Sequence, residues 1–496
     1  MGELLLSLDQ GTSSSRAVVY TPDGRELARA QCEFAQHYPR PGWVEHDPDE
    51  IWETQLRTAR EALTAAHVSA SDLAAIGIAN QRETLVAWDR VTGQPVGPAI
   101  VWQCRRTADE CDKLAADGFG VEVAARTGLV IDPYFSATKM RWVLDHRREA
   151  RALADRGRLA FGTVDSWLIY RLTAGAVHRT DRTNASRTML FNIHNLDWDP
   201  TLCEAFGVRP ETLPEPQPSV AAFGEADARL LGAAVPIAGV AGDQQAALFG
   251  QGCITPGQAK NTYGTGCFVL LHTGPIPVHS DRGLLTTVAA SAGAPAYALE
   301  GSIFVAGAAI QWLRDGLGVI QRADEVDALA GSVPDSGGVV FVPAFVGLGA
   351  PYWDARARGA IVGITRGTTR AHLARAALEA IAVQSAELIE LLEVESGFAV
   401  TELRADGGAA ASDLLMELQA DVLDRPVVRA HTLETTALGA ALLAGIGVGL
   451  YADEAAAVRV LSPERTFRPQ WDDTRRAALR ERWRRAVERA RGWATS

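Results

Sequence analysis

Lysine is almost missing from this chain. Of 48 basic residues among 496, only Lys113, Lys139 and Lys260 are lysine. The arginine and alanine excess reads as compositional bias and carries no function by itself. Net basicity is missing too. The 60 acidic residues give a formal charge of −12, which disfavours a nucleic-acid partner. Cysteine is scarce, and the six (at 32, 104, 111, 203, 253 and 267) form no C-x-x-C pair. Zinc and redox motifs are therefore unsupported. Apolar neighbours suit reduced thiols in a reducing compartment. No apolar run reaches the ~18 residues of a membrane span. No basic stretch precedes the first apolar run. A cytoplasmic protein without membrane insertion is expected. Two nucleotide motifs are absent as well, G-x-x-x-x-G-K-[ST] and G-x-G-x-x-G, as are H-R-D and D-F-G. The P-loop, dinucleotide-binding and protein-kinase classes are disfavoured accordingly.

What is present begins at the first strand. Leu4–Leu8 is apolar and delivers Asp9 into Gly11-Thr12-Ser13-Ser14-Ser15-Arg16, after which Ala17–Tyr20 is apolar again. Backbone N–H groups and hydroxyls in such a turn can approach phosphate oxygens, while the acid holds Mg²⁺. The same pattern also serves plain hairpins, with Gly at positive φ and Asp capping the bend. A second strand–turn–strand, Gln258–Leu271 around Gly264-Thr265-Gly266, tips the balance towards phosphate. The recurrence implies an internal duplication with its boundary at Gly250-Gln251-Gly252, hence domains 1–250 and 251–496. A nucleotide between the halves would meet one turn from each.

Strands are predicted at 4–8, 16–20, 25–34 and 74–79, with a helix from Pro48 to about His67. That order indicates an α/β domain with a mixed sheet. The Pro-rich stretch Arg209–Pro218 reads as a surface excursion, and 472–492 as a solvated helix.

Four places carry chemistry. Val235–Val240 is a buried strand that ends near Asp243, where α/β proteins bind ligands. Asp243 caps the next helix or, beside two phosphate turns, acts as general base. Arg82 and Glu83 cannot share one face of a strand. Either the chain bends and both face vicinal hydroxyls, or they form a surface ion pair of little worth. Trp102, Tyr134 and Phe268 are core aromatics or the flat walls of a small polyol pocket. Gly407-Gly408 is a plain turn or a close approach to a ring. Gly307 and Gln311, one helical turn apart, are weaker signals of the same kind.

The segments LDQGTSSSRAVV, GIANQRET, AIVWQCRRTA, AGDQQAALFGQ, KNTYGTGCF and YALEGSIFVAGAAIQWLRD carry a resemblance over almost the whole chain. The sequence resembles the FGGY family of carbohydrate kinases. The resemblance implies an actin-like ATPase fold, with two ribonuclease-H-like α/β domains around a central cleft. It also implies phosphate transfer from ATP to glycerol, giving ADP and sn-glycerol 3-phosphate. By position it assigns Arg82, Glu83, Trp102, Tyr134, Asp243, Gln244 and Phe268 to glycerol, with Asp243 as base. Asp9 and Asp243 fall to Mg²⁺. Thr12, Ser13, Ser14 and Arg16 match the first phosphate loop and Thr265 the second. Gly307, Gln311, Gly408 and Ser412 match nucleotide contacts, although many members have Asn where Ser412 stands. A homodimer or homotetramer is implied. Phe223–Val235 lacks the patterns linked to fructose bisphosphate inhibition and to histidine phosphorylation in relatives, so neither control is expected.

Overall fold

Two sheets of the same topology organise the molecule. The computed structural model describes residues 2–432 and 434–494; the outermost residues of the two expected domains, Met1, Thr495 and Ser496, lie outside them. The first sheet contains β1 (Leu4–Gln10), β2 (Ser14–Tyr20), β3 (Glu26–Glu33), β4 (Leu73–Asn80) and β5 (Val235–Gly242). Their order is β3-β2-β1-β4-β5, with a short edge strand, Glu225–Ala226, beyond β5. β1 pairs antiparallel with β2 and parallel with β4, and β4 pairs parallel with β5. Helix α1 (Pro48–Ala65) covers one face. Pro48 starts it, Asp47 accepts from the Asp49 N–H as cap, and Asp49 and Glu50 complement its positive end. Ile51, Trp52, Ala59 and Ala62 point from it into the core formed with Leu6, Leu8, Val19, Ile76 and Ile78.

The second sheet repeats the plan with β6 (Ala259–Tyr263), β7 (Cys267–Gly274), β8 (Tyr297–Ile303), β9 (Leu403–Asp406) and β10 (Val427–Ala430). Its order is β8-β7-β6-β9-β10, extended at the edges by Leu285–Val288 and Pro463–Phe467. The pairing senses match those of the first sheet, strand for strand. The recurrence seen in the two Gly-Thr turns is thus a recurrence of topology.

Between β4 and β5 the chain makes a long excursion with a core of its own. It includes Ile100, Val101, Phe135, Met140, Phe161 and Phe206, with Trp102 and Tyr134 at its margin. The stretch Arg209–Pro218 belongs to it.

Helix α2 (Asp243–Gly250) follows β5, α3 (Gly307–Asp315) follows β8, and α4 (Arg370–Ser396) backs the second sheet. Helix α5 (Asp413–Leu423) precedes β10. Helix α6 (Thr435–Gly447) returns from the second half to lie on the first sheet. Its small residues make this possible. A Cβ on Gly77 of β4 would stand 2.1 Å from the Ala440 carbonyl oxygen of α6. A Cβ on Gly439 would stand 1.9 Å from the Ala246 oxygen of α2. The two halves are therefore joined backbone to backbone along α2 and α6.

Candidate active site

The register of the first sheet lines up its strand ends. Asp9 on β1 pairs with Ala79 on β4, and Ala79 with Ala241 on β5. Gln10, Asn80 and Gly242 follow in the same line. Gln81, Arg82 and Asp243 therefore emerge beyond the carboxyl ends of adjacent parallel strands, the usual ligand edge of such a sheet.

Asp243 is the first residue of α2, and the cap position belongs to Gly242 at φ −60°. The capping alternative fails on that geometry. One carboxylate oxygen, Oδ1, accepts from the Gln244 N–H at 2.7 Å and pairs with Arg82 Nε at 3.3 Å. Oδ2 has no hydrogen-bond partner among the described residues, and the side chain is 32% exposed. One oxygen is thus fixed and the other is presented to the cleft. Helix α2 starts at Asp243 itself, so the acid is held by helical backbone.

The chain bends at the Arg82–Glu83 pair. Glu83 sits at φ +61°, and the Thr84 N–H donates to the Arg82 carbonyl at 2.7 Å. A non-glycine residue held in the left-handed region is strained, and such strain concentrates at functional sites. Arg82 Nε lies 3.7 Å from Glu83 Oε1 with both side chains 2% exposed, so the pair is buried and the surface-pair alternative is removed.

Arg82 and Glu83 are 3% and 1% exposed, and protein groups take most of the Arg82 donor positions and one Glu83 carboxylate oxygen. Arg82 forks onto Glu300 of β8, Nη1 to Oε2 at 2.5 Å and Nη2 to Oε1 at 3.0 Å. Its Nη1 also reaches Gln245 Oε1 at 3.3 Å, and Nη2 the Tyr134 hydroxyl at 3.5 Å. Glu83 Oε1 accepts from Arg187 Nε at 2.6 Å, and Arg187 Nη2 donates to Glu300 at 3.1 Å. Arg82 and Glu83 are thus also halves of a buried ion network that spans both sheets, while Glu83 Oε2 carries no hydrogen bond among the described residues.

Burial alone would push the Glu300 carboxyl up, but Arg187 and Arg82 overcome it and hold it down at about 2. For Glu83, burial outweighs Arg187 and Arg82, and its carboxyl stays above the usual range. With Asp243 and the buried Lys260, the network sets three anions against three cations. Glu300, Arg187, Lys260 and Gln245 were not legible as site residues. The available signals were the charged Glu300 inside an apolar strand and the rarity of lysine.

Asp9 is 9% exposed, and its Oδ2 lies 3.5 Å from Arg16 Nη1. Burial raises its carboxyl to about 7; Arg16 opposes the shift, while Glu434 and Asp243 add to it. Arg16 also pairs with Glu434, which immediately precedes α6. Two carboxylates facing one crevice, each with oxygen donors only, fit a hard divalent cation. Among the described residues no three His, Cys, Asp or Glu side chains form a metal cage. Mg²⁺ needs none, because it keeps water and phosphate oxygens as ligands.

In the first turn, the Gly11 N–H donates to the Ser14 carbonyl at 3.0 Å. Thr12 Oγ1 accepts from Trp102 Nε1 at 3.0 Å, tying the turn to the excursion. Ser13 is exposed, and Ser14 Oγ accepts from Gln31 at 3.0 Å. In the second turn Thr265 is exposed, and its carbonyl accepts the N–H groups of Ala306 and Ala308. Gly307 N–H donates to the Gly264 carbonyl at 3.0 Å, and a Cβ there would come within 2.6 Å of that oxygen. Gly307 thus lets α3 clamp the turn.

Gln311 is exposed on α3, and Gly408 borders open space. Ser412 is committed: its hydroxyl accepts from the Leu415 N–H as the cap of α5 and donates to Asp327 at 2.5 Å. Trp102 and Tyr134 meet edge to face at 5.4 Å. Phe268 lies on the second sheet, packed against the cluster of Leu248, Cys253 and Leu270. A groove of about 570 Å³ near Phe467 and Trp471 shares no residue with this constellation.

Two equivalent sheets, each offering a Gly-Thr turn at a shared seam, define an actin-like ATPase fold. The chain belongs to the FGGY family of carbohydrate kinases: residues 4–250 match its N-terminal domain and residues 259–448 its C-terminal domain. It is 60% identical over 490 residues to a glycerol kinase of Aromatoleum aromaticum, covering 99% of both chains. Among solved structures it is similar to the Plasmodium falciparum glycerol kinase with ADP, at 35% identity and a TM-score of 0.92 over 98% of each chain. A Lactobacillus acidophilus xylulose kinase shares the fold at 21% identity, with a TM-score of 0.87 over 98% of this chain and 97% of that one.

Proposed function

We propose that this kinase transfers the terminal phosphate of ATP to glycerol, giving ADP and sn-glycerol 3-phosphate. The observation that carries this reading is the 60% identity, across 99% of both chains, to a relative named glycerol kinase. The seam geometry supports it.

Asp243 Oδ2 takes the proton of the attacking hydroxyl as its oxygen bonds to phosphorus and the bond to the ADP oxygen breaks. Arg82 and the Gln244 N–H hold Oδ1, so the carboxylate cannot turn away. Thr12, Ser13, Ser14 and Arg16 on one side and Thr265 on the other receive the phosphates, with Gly307, Gln311, Gly408 and Ser412 towards the nucleoside. Trp102, Tyr134 and Phe268 face the carbon edge of glycerol. Mg²⁺, held by Asp9 and Asp243, would neutralise phosphate charge. Joining of the two halves around the site excludes water and suppresses idle ATP hydrolysis. We place the enzyme in the cytoplasm as a homodimer or homotetramer, with its domains divided at Gly250–Gly252.

A coupled ADP assay across glycerol, dihydroxyacetone, xylulose and gluconate tests the proposal. Glycerol should give the highest kcat/KM by orders of magnitude, because a site that pairs hydroxyls rejects poorly matched analogues. A preference for xylulose or gluconate overturns it. ADP release indifferent to every polyol would favour a non-catalytic actin-like ATPase.

A further inference from the structure

Two of the three lysines in this arginine-biased chain, Lys139 and Lys260, are fully buried, and both lie beside the site; Lys113 is exposed. Lys139 donates to the carbonyls of Tyr134 and Phe135, a structural use. Lys260 does something different. It belongs to β6 of the second sheet, yet its Nζ crosses the seam and donates to Gln244 Oε1, on the first half, at 2.5 Å. A second bond goes to Thr262 Oγ1 at 2.8 Å.

The direction of that bond has a chemical consequence. An ammonium only donates, so the amide atom facing it must be the oxygen. Gln244 Nε2 then faces away from Lys260. The backbone N–H of the same residue is already given to Asp243 Oδ1. Among the described residues Gln244 Nε2 carries no hydrogen bond, so on these two consecutive residues one acceptor, Asp243 Oδ2, and one donor, Gln244 Nε2, remain unpaired. A vicinal diol matches that pair: the reacting hydroxyl gives its proton to Asp243, and its neighbour accepts from Gln244. Without the ammonium the amide could rotate half a turn at little cost and offer an acceptor instead.

We propose that Lys260 is a positioning residue, delivered from the second sheet, that orients the Gln244 amide so that its Nε2 donates into the polyol site. This rests on the polyol kinase reading above. It makes donor–acceptor recognition depend on the two halves being together. Arginine cannot replace it, since a planar guanidinium is larger and is not a point charge.

The test is a double-mutant cycle on KM for the preferred polyol, with Lys260→Met, Gln244→Leu and the pair, and ATP KM measured in parallel. A hydrogen bond to a charged group is worth ~1.5–3 kcal/mol, so Lys260→Met should raise polyol KM roughly 10- to 100-fold while ATP KM stays within about twofold. In the Gln244→Leu background the same change should have no further effect. Gln244→Glu, which leaves the lysine intact but supplies acceptors only, should raise polyol KM as Gln244→Leu does. Unchanged polyol KM in Lys260→Met, an undiminished effect in the Gln244→Leu background, or retained affinity in Gln244→Glu each overturn the proposal. Should Lys260→Met fail to fold, Lys260→Gln, neutral and of similar length, takes its place in the cycle. The cycle is a ratio on whichever polyol the wild type prefers. A wrong substrate therefore shows in the wild type, and a wrong role for Lys260 shows in the cycle.

Discussion

Arg82 and Glu300 lie 218 residues apart and on opposite sides of the seam, yet they meet as a two-pronged ion pair at 2.5 and 3.0 Å. Both side chains are 2% exposed. Glu300 also takes Arg187 at 3.1 Å, so one carboxylate balances two buried guanidiniums. Removing one partner of a buried pair leaves an unpaired charge and costs about 3–5 kcal/mol. Glu300→Ala should therefore lower the unfolding free energy by that order, measured by urea denaturation. It should also lower kcat, because Arg82 then loses the anchor that aims Nε at Asp243. Glu300→Gln, which keeps the shape, should recover part of the stability and less of the turnover. Equal stability of Glu300→Ala and wild type would mean the network is not formed in solution.

Asp243 has one oxygen held and one presented, which separates binding from chemistry. Asp243→Asn preserves size and one acceptor but removes the base. General base catalysis contributes roughly 10²–10⁴-fold, so turnover should fall by at least that range. Glycerol and nucleotide should still bind, as read by calorimetric titration. Near-normal turnover would reject Asp243 as the base.

Much of this was legible in the sequence, for local reasons. β1, β2 and β4 follow from short apolar runs and their breakers, and α1 from its Asp-Pro-Asp-Glu start. The bend at Arg82–Glu83 was one of the two alternatives that opposite charges in a strand-like context left open. Its consequence did not, because Glu300 and Arg187 come from distant segments and no spacing rule links them to Arg82. The return of α6 to the first sheet was also hidden. Its small residues are uniformly apolar, so they mark no buried face and name no partner. Ser412 was seen only for what it replaces, while its bond to Asp327 is a tertiary fact.

The α2–α6 crossing brings the two halves together at backbone distance. A methyl group on Gly439 would sit 1.9 Å from the Ala246 carbonyl oxygen, a backbone atom that cannot rotate aside. Overpacking of this kind costs typically ~1–3 kcal/mol and shifts backbone. Gly439→Ala should therefore lower the denaturation midpoint. Since α2 begins with Asp243, kcat should fall as well, although residue 439 touches neither turn. Gly449→Ala, at an open site with φ +79°, should lose some stability through strain but keep its turnover. If both variants lose turnover equally, the crossing does not govern the catalytic helix.

Beneath the strand ends lies a second acidic pair whose titration should be visible in stability. Asp165 and Asp181 are both fully buried. Asp165 accepts from Thr163 and Thr180, and Asp181 from the backbone of Thr183 and Asn184. Asn184 in turn exchanges hydrogen bonds with Asn80 at the end of β4, and Thr183 accepts from the Gly242 N–H at 2.8 Å. Burial, reinforced by Asp181, raises the Asp165 carboxyl from 3.8 to about 7. A raised acid pKa means the folded state keeps a proton that the unfolded chain releases. The stability this gives is full below pH 3.8, falls as pH rises, and is gone above about pH 7. The slope is at most about 1.4 kcal/mol per pH unit for one proton. Asp165→Asn, which cannot ionise, should remove that slope. Its stability relative to wild type should therefore rise between pH 5 and 8 in urea titrations. Parallel curves for the two proteins would show that Asp165 is ionised throughout.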